Sequence, residues 1–303
     1  MLRTPSTPKP KERCLPDAFA PGTAVVVLGL LSALAWGSGD FGGGMLSRRA
    51  PLFGIVIGTQ AIGLVAALGL AVVRGEPVPQ GADLAWSVSG GLAGVVGITS
   101  LYRGLAVGRM GVVAPTTGVL AAVVPVGVGF VLEGVPRPEA ITGIVLALIA
   151  VVLVTSAPGH GTDRPSGVRW ALLAGSAIGG FNVCVGQLSG AGAFGPLVLM
   201  RLLQVAILAV LIVAWRQPWR LDRSVGWRLV AVGLLDMTGN AAFILAAQSG
   251  QLAIAAVLSS LYPVVTVVLA IAVVGERLAR RHVAGIALTA IAIALIAAGT
   301  ATL

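Results

Sequence analysis

Four ionisable side chains stand inside long apolar runs of the chain: Asp40, Arg103, Arg201 and Asp236. A charge in hydrocarbon is costly enough that it marks a functional site by default. A carboxylate can carry a proton or hold a cationic group, and an arginine can grip a carboxylate through two parallel hydrogen bonds. At 1.5 Å per helical residue, Asp236 lies roughly 15 Å along its run, and Arg201 about 10 Å along the run before it, entering from the opposite face. This spacing predicts an Asp236–Arg201 pair, which either belongs to a pathway through the apolar layer or only locks two helices together. Asp40 and Arg103 end their runs on one face, where they can pair as a gate or snorkel to water. Asn240 is one turn from Asp236 and shares its face. Asn182, Trp36, Tyr102 and Tyr262 can line a cavity, and packing or interface anchoring is the alternative for the aromatics. Gln187 and Gln248 are weaker candidates. Glu133 and Glu276 fall at run ends and read as solvated turn charges.

Other chemistries lack their residues. Gly37, Gly39 and Gly42 make the spacing G-x-G-x-x-G. A dinucleotide loop of that form needs a strand before it and an acidic residue about 20 positions on. Here the glycines end an apolar run that leads to Arg48, Arg49 and Pro51, so they read as close-packing or unwinding positions. The chain has no Walker sequence and no H-E-x-x-H. Cys14 and Cys184 make no metal or disulfide pattern, and His160 and His282 read as ordinary surface histidines. No metal site and no cofactor are expected. The net charge of +9 comes from short basic clusters between apolar runs, which is loop patterning and not a nucleic-acid stripe.

Hydrophobic residues make up 57% of the 303, charged residues only 10%, and mean hydropathy is +0.98. Soluble domains carry about 25% charge, so the lipid bilayer is the expected surrounding. Ten runs reach the roughly 20 residues that spanning requires: 23–43, 51–73, 84–107, 111–132, 138–157, 168–190, 194–215, 226–247, 251–274 and 282–300. The Pro-rich, charged tail, residues 1–22, reads as disordered. Ala33-Leu34-Ala35 resembles a signal-cleavage site, but the run continues past it and takes part in a repeat, so an uncleaved helix is expected. Pairs such as Gly54 and Gly58, or Gly90 and Gly94, offer small-residue faces for close helix contact.

The repeat has a period of about 142 residues. "LLSALAWGSGDF" (30–41) parallels "LLAGSAIGGFNV" (172–183), and "AVGRMGVVAPTTGVLAAVVPVGVGFVLEGVP" (106–136) parallels "AQSGQLAIAAVLSSLYPVVTVVLAIAVVGERL" (247–278). Two five-helix units follow, 23–157 and 168–300. An odd number per unit puts the second into the membrane upside down relative to the first. The expected fold is thus an all-α polytopic membrane protein with ten transmembrane helices in two inverted five-helix repeats, a plan that transporters use with a central site and alternating access.

"AWGSGDF" (35–41), "SSLYPVV" (259–265) and "VVGERLARRHVAG" (273–285), in that order across two five-helix units, resemble the EamA-type members of the drug/metabolite transporter superfamily. That resemblance implies a permease of the cell membrane, expected to work in efflux of small metabolites, amino acids or drugs, and not an enzyme. It implies no nucleic-acid partner. A fused pair of repeats suggests a monomer, and a proton is the plausible coupling ion. An intramembrane lipid-modifying enzyme and a non-transporting sensor are the alternatives. Of the 20 basic residues, 13 lie in loops after odd-numbered helices. The positive-inside rule then puts those loops in the cytoplasm, whereas the basic tail and the family resemblance put the termini there.

Overall fold

The computed structural model describes residues 21–133, 138–156, 165–188, 192, 194–248, 258–259, 261–275 and 279–300. These residues form α-helices α1 (Pro21–Leu46), α2 (Leu52–Arg74), α3 (Gly81–Val107), α4 (Met110–Glu133), α5 (Pro138–Ser156), α6 (Val168–Gly186), α7 (Phe194–Ala214), α8 (Gly226–Gln248), α9 (Tyr262–Leu269) and α10 (Arg280–Thr300). No strand occurs among the described residues. Among the described residues, six helices are long and apolar enough to cross a membrane: α1, α2, α3, α6, α7 and α8. The ninth expected span, 251–274, is described at 258–259 and from Leu261, and residues 251–257 and 260 lie outside the described set. So do the tail to residue 20 and the whole 157–164 link.

Helix ends follow the local chemistry. Pro51, extended at ψ 122°, starts α2, since a residue with no N–H suits a helix entry. Gly75 ends it in the left-handed conformation (φ 66°) and turns its N–H onto the carbonyls of Ala71 and Val72, a closure that a Cβ would oppose. After Leu269 the ninth helix widens into a π-turn, Ala270–Val274, which stops at Gly275 (φ 71°).

Loop contacts place the ends. Arg48, just past α1, donates to the Leu105 carbonyl near the end of α3 at 3.0 and 3.2 Å. Gly54 at the start of α2 lies against the Trp219 carbonyl of the α7–α8 loop, and Gly108 after α3 lies against Gly167 before α6. These segments share one end of the bundle, here face B. At the other end, face A, Glu76 after α2 meets the start of α7. The helices therefore run up and down, as short connections require.

The two halves interleave. α1 packs along α8 and α3 along α6, α2 lies against α7, and α5 lies against α10. α3 also touches α7 as α2 touches α8, and α4 touches α6 as α9 touches α1. A core of Ile55, Val56, Leu101, Tyr102, Leu105, Met110 and Leu208 fills the face B half. Large apolar side chains also point outward, Val73 at 85% and Val213 at 78% exposure among them, which suits lipid and not water. Exposed Trp215, Trp219 and Trp227 gather at face B with Arg216, Arg220, Arg223 and Arg228. Such a tryptophan and arginine belt fits the membrane–water boundary.

Candidate functional site

The glycines of the first helix let α1 serve as a hub. A Cβ at Gly37 would stand 2.5 Å from that of Val265 on α9, and one at Gly42 would stand 2.8 Å from Val232 on α8. Gly39 faces the Asp236 backbone nitrogen, Gly43 lies under the Tyr102 ring, and Gly44 meets Leu105. Thr266 donates to the Gly37 carbonyl at 3.0 Å, and Ser32 donates to that of Gly239 at 2.9 Å. The G-x-G-x-x-G spacing thus admits neighbouring helices to the backbone, and no phosphate loop exists here.

Arg201 and Asp236 meet. The Arg201 Nη2 lies 2.5 Å from Asp236 Oδ2, and the two side chains are 8% and 20% exposed. The other terminal nitrogen, Nη1, donates to Gln60 Oε1 of α2, so three helices converge on one guanidinium. Room for it comes from Gly63, whose Cβ position lies 3.6 Å from Arg201 Nε. That Nε and the oxygen of buried Gln204, one turn along α7, have no hydrogen-bond partner among the described residues. A buried pair of this kind is weak as a stabiliser, but removing one member leaves a charge uncompensated.

Beside the pair lies a cavity of about 80 Å³, room for a handful of waters or a small molecule. Its wall is Trp36 of α1, Phe181, Asn182 and Val185 of α6 with Leu188 beyond it, Leu197 and Met200 of α7, and Asn240, Phe243 and Ile244 of α8. Trp36 presses on Gly239 and packs against Phe243 with ring centres 5.8 Å apart. Asn240 donates its amide to the Asp236 carbonyl at 2.7 Å, and Asn182 donates to that of Ala121 at 3.3 Å.

The sequence candidates sort themselves around this cavity. Trp36, Asn182 and Asn240 line it, while Arg201 and Asp236 stand one turn deeper, toward face B. Tyr262 stands behind Trp36, edge-on with ring centres 6.2 Å apart. Tyr102 is 1% exposed and packs against Gly43, away from the wall. Asp40 sits one turn from Trp36, and its carboxylate has no hydrogen-bond or ion-pair partner among the described residues. It does not pair with Arg103, which is exposed at the end of α3; a gate between those two is not formed. Gln187 is exposed. Glu276 lies outside the described residues. No cluster of metal-ligating side chains occurs among those described.

Sequence reading missed three residues. Gln60 and Gln204 are neutral, so nothing flags them within apolar runs, although their burial (1% and 3% exposed) makes each a costly group. Glu76 looks like a loop charge, yet its carboxylate accepts from the backbone N–H of Phe194 at 2.6 Å and of Gly195 at 2.9 Å. It also pairs with Arg74 at 3.1 Å, while Arg74 lies over the Phe194 ring.

No curated protein matches the chain. A solved crystal structure of a protein is similar to it with a TM-score of 0.61, over 90% of this chain and 96% of that one, at 17% identity. At that identity the likeness speaks for the fold. The EamA-like transporter family matches residues 165–298, which hold α6 to α8, both members of the buried ion pair and most of the cavity wall. Residues 165–298 are thus similar to the EamA-like transporter family, part of the drug/metabolite transporter superfamily.

Proposed function

We propose that this protein is a secondary transporter that exports small metabolites, amino acids or drugs across the cell membrane by alternating access. The observation that carries the reading is a buried Arg201–Asp236 pair beside a small cavity, about halfway along helices long enough to span a bilayer. Intramembrane charges cluster along pathways because hydrocarbon penalises them everywhere else. Family members are transporters and not enzymes. The helix contacts also support the inverted plan. Exchanging each helix with the one five places on turns the α1–α8 contact into α6–α3 and the α2–α8 contact into α7–α3, and leaves α2–α7 and α5–α10 unchanged. A two-fold axis in the membrane plane would produce that pattern. One copy of the chain supplies both halves, so it works as a monomer, with a proton on a buried carboxylate as coupling ion.

The test compares external metabolites of cells carrying the native chain with those carrying Asp236→Asn, by untargeted mass spectrometry. A small molecule that accumulates outside only with the native chain is the expected result. Losing one member of a buried pair costs roughly 3–5 kcal/mol, so the doubly neutral Arg201→Gln/Asp236→Asn variant accompanies it. Normal flux through the folded double variant would remove the pair from the pathway.

A further inference from the structure

The cavity wall carries no ionisable side chain, so its electrostatics come from what lies one turn below. Asp40 is four residues past Trp36 on α1, and Asp236 four before Asn240 on the antiparallel α8, so both stand about 6 Å deeper. Gly39 brings these helices together: its Cβ position is 3.6 Å from the Asp236 backbone nitrogen. Arg201 is four past Leu197 of the wall, at the same depth. Two carboxylates therefore stand at one depth with one guanidinium. Asp236 takes it directly, and its remaining hydrogen-bond partner is the neutral Gln60. The other groups facing Asp40 are also uncharged: Tyr102 from α3 and Tyr262 from α9, with Thr59 of α2 beside Tyr102. Asp40 therefore has no cation of its own among the described residues, so a proton must neutralise it or a bound cation must balance it when it ionises.

The wall above agrees in sign. Asn182 and Asn240 each give one amide N–H to a main-chain carbonyl, which leaves one N–H and a carbonyl oxygen on each side chain. Trp36, Phe181 and Phe243 supply aromatic faces, whose negative π-clouds attract cations. Acceptor oxygens, ring faces and the Asp40 carboxylate below them all select one kind of guest. We infer that the cargo is an amphipathic organic amine: an apolar body against the aromatic wall, with its protonated nitrogen directed toward Asp40. An anion would meet the ring faces and the Asp40 carboxylate. A zwitterion would bring no net charge to offset it. This inference rests on the transport reading for calling the guest a cargo.

The experiment is titration calorimetry on the purified full chain in detergent. Three probes share one apolar body: 2-phenylethylamine (cation), phenylalanine (zwitterion) and 3-phenylpropionate (anion). The amine is expected to bind about tenfold or more tighter than either other probe, a gap of roughly 1.4 kcal/mol or more. Asp40→Asn abolishes that preference, and Asp40→Glu retains it, with thermal melts confirming that both variants are folded. Equal or tighter binding of phenylalanine or phenylpropionate overturns the inference, as does an unchanged preference in Asp40→Asn or the absence of binding by any probe. The ranking of probes on the native chain needs no variant. It is also independent of the flux assay: amine binding without any flux in cells carrying the native chain would leave the site and sink the transport reading. Phenylalanine winning while flux depends on Asp236 would do the reverse.

Discussion

Tyr102 occupies the place where a side chain at Gly43 would stand. Because that ring is fully packed, it cannot move aside cheaply. Gly43→Ala is expected to cost about 1–3 kcal/mol, the usual range for overpacking. Gly69→Ala is the control, since nothing lies within 4 Å of a Cβ there. On helix propensity that change gains up to about 1 kcal/mol. Melting temperatures of both variants in detergent decide the point; equal behaviour would mean that α1 and α3 are less tightly seated than the contacts suggest. At this scale the sequence was legible where a residue conflicted with its surroundings. Asp236 and Arg201 stood out because no other charge lies deep within their runs, and their pairing followed from helical rise. Gln60 raised no such conflict, although it holds the same guanidinium. Tyr102 illustrates the opposite error. Its hydroxyl suggested a cavity wall, but the missing side chain at Gly43 made it a packing residue, and no property of tyrosine alone reveals that.

Between elements, the tie at face A is the least expected feature. Glu76 sits 7% exposed and caps the start of α7 from a loop 118 residues away. A carboxylate suits that position, because the first N–H groups of a helix are unpaired and its N-terminus is partly positive. Glu76→Ala strips the shared acceptor, Oε2, from the amides of Phe194 and Gly195. The expected loss is about 1–3 kcal/mol for partly buried donors left unsatisfied. Hydrogen exchange should show those two amides becoming less protected while the middle of α7 is unchanged; unaltered exchange at Phe194 would mean that the cap is dispensable. The sequence gives the helices themselves clearly, because runs of about 20 apolar residues leave little choice of span. Their ends are set by finer chemistry. α1 continues to Leu46, three residues past its expected end, since Gly43 and Gly44 still pack on α3. α6 stops at Gly186, four residues before its expected end.

Over the whole molecule, the helices of each half find their main partners in the other. α1 relies on α8, and α3 relies on α6, so neither half buries its own faces. A chain cut between residues 160 and 161 is therefore expected to be unstable as either half alone. Co-expressed, the two pieces should restore flux. Stable accumulation of one half by itself, followed on a membrane blot, would contradict this interleaving. The repeat in the sequence announced two similar units, but similarity between units does not say that they interpenetrate; that depends on which faces are small enough to approach. Interleaving also means that the site is assembled in order of synthesis. Arg201 enters the membrane with α7 while Asp236 is still 35 residues away, which at cellular elongation rates of 5–20 residues per second is about 2–7 s. For that interval an arginine at mid-helix, disfavoured by roughly 2.5–3.5 kcal/mol on insertion, has one of its two eventual partners already in place. That partner is Gln60 on α2, which thereby becomes a chaperone built into the chain, holding the guanidinium until its carboxylate arrives.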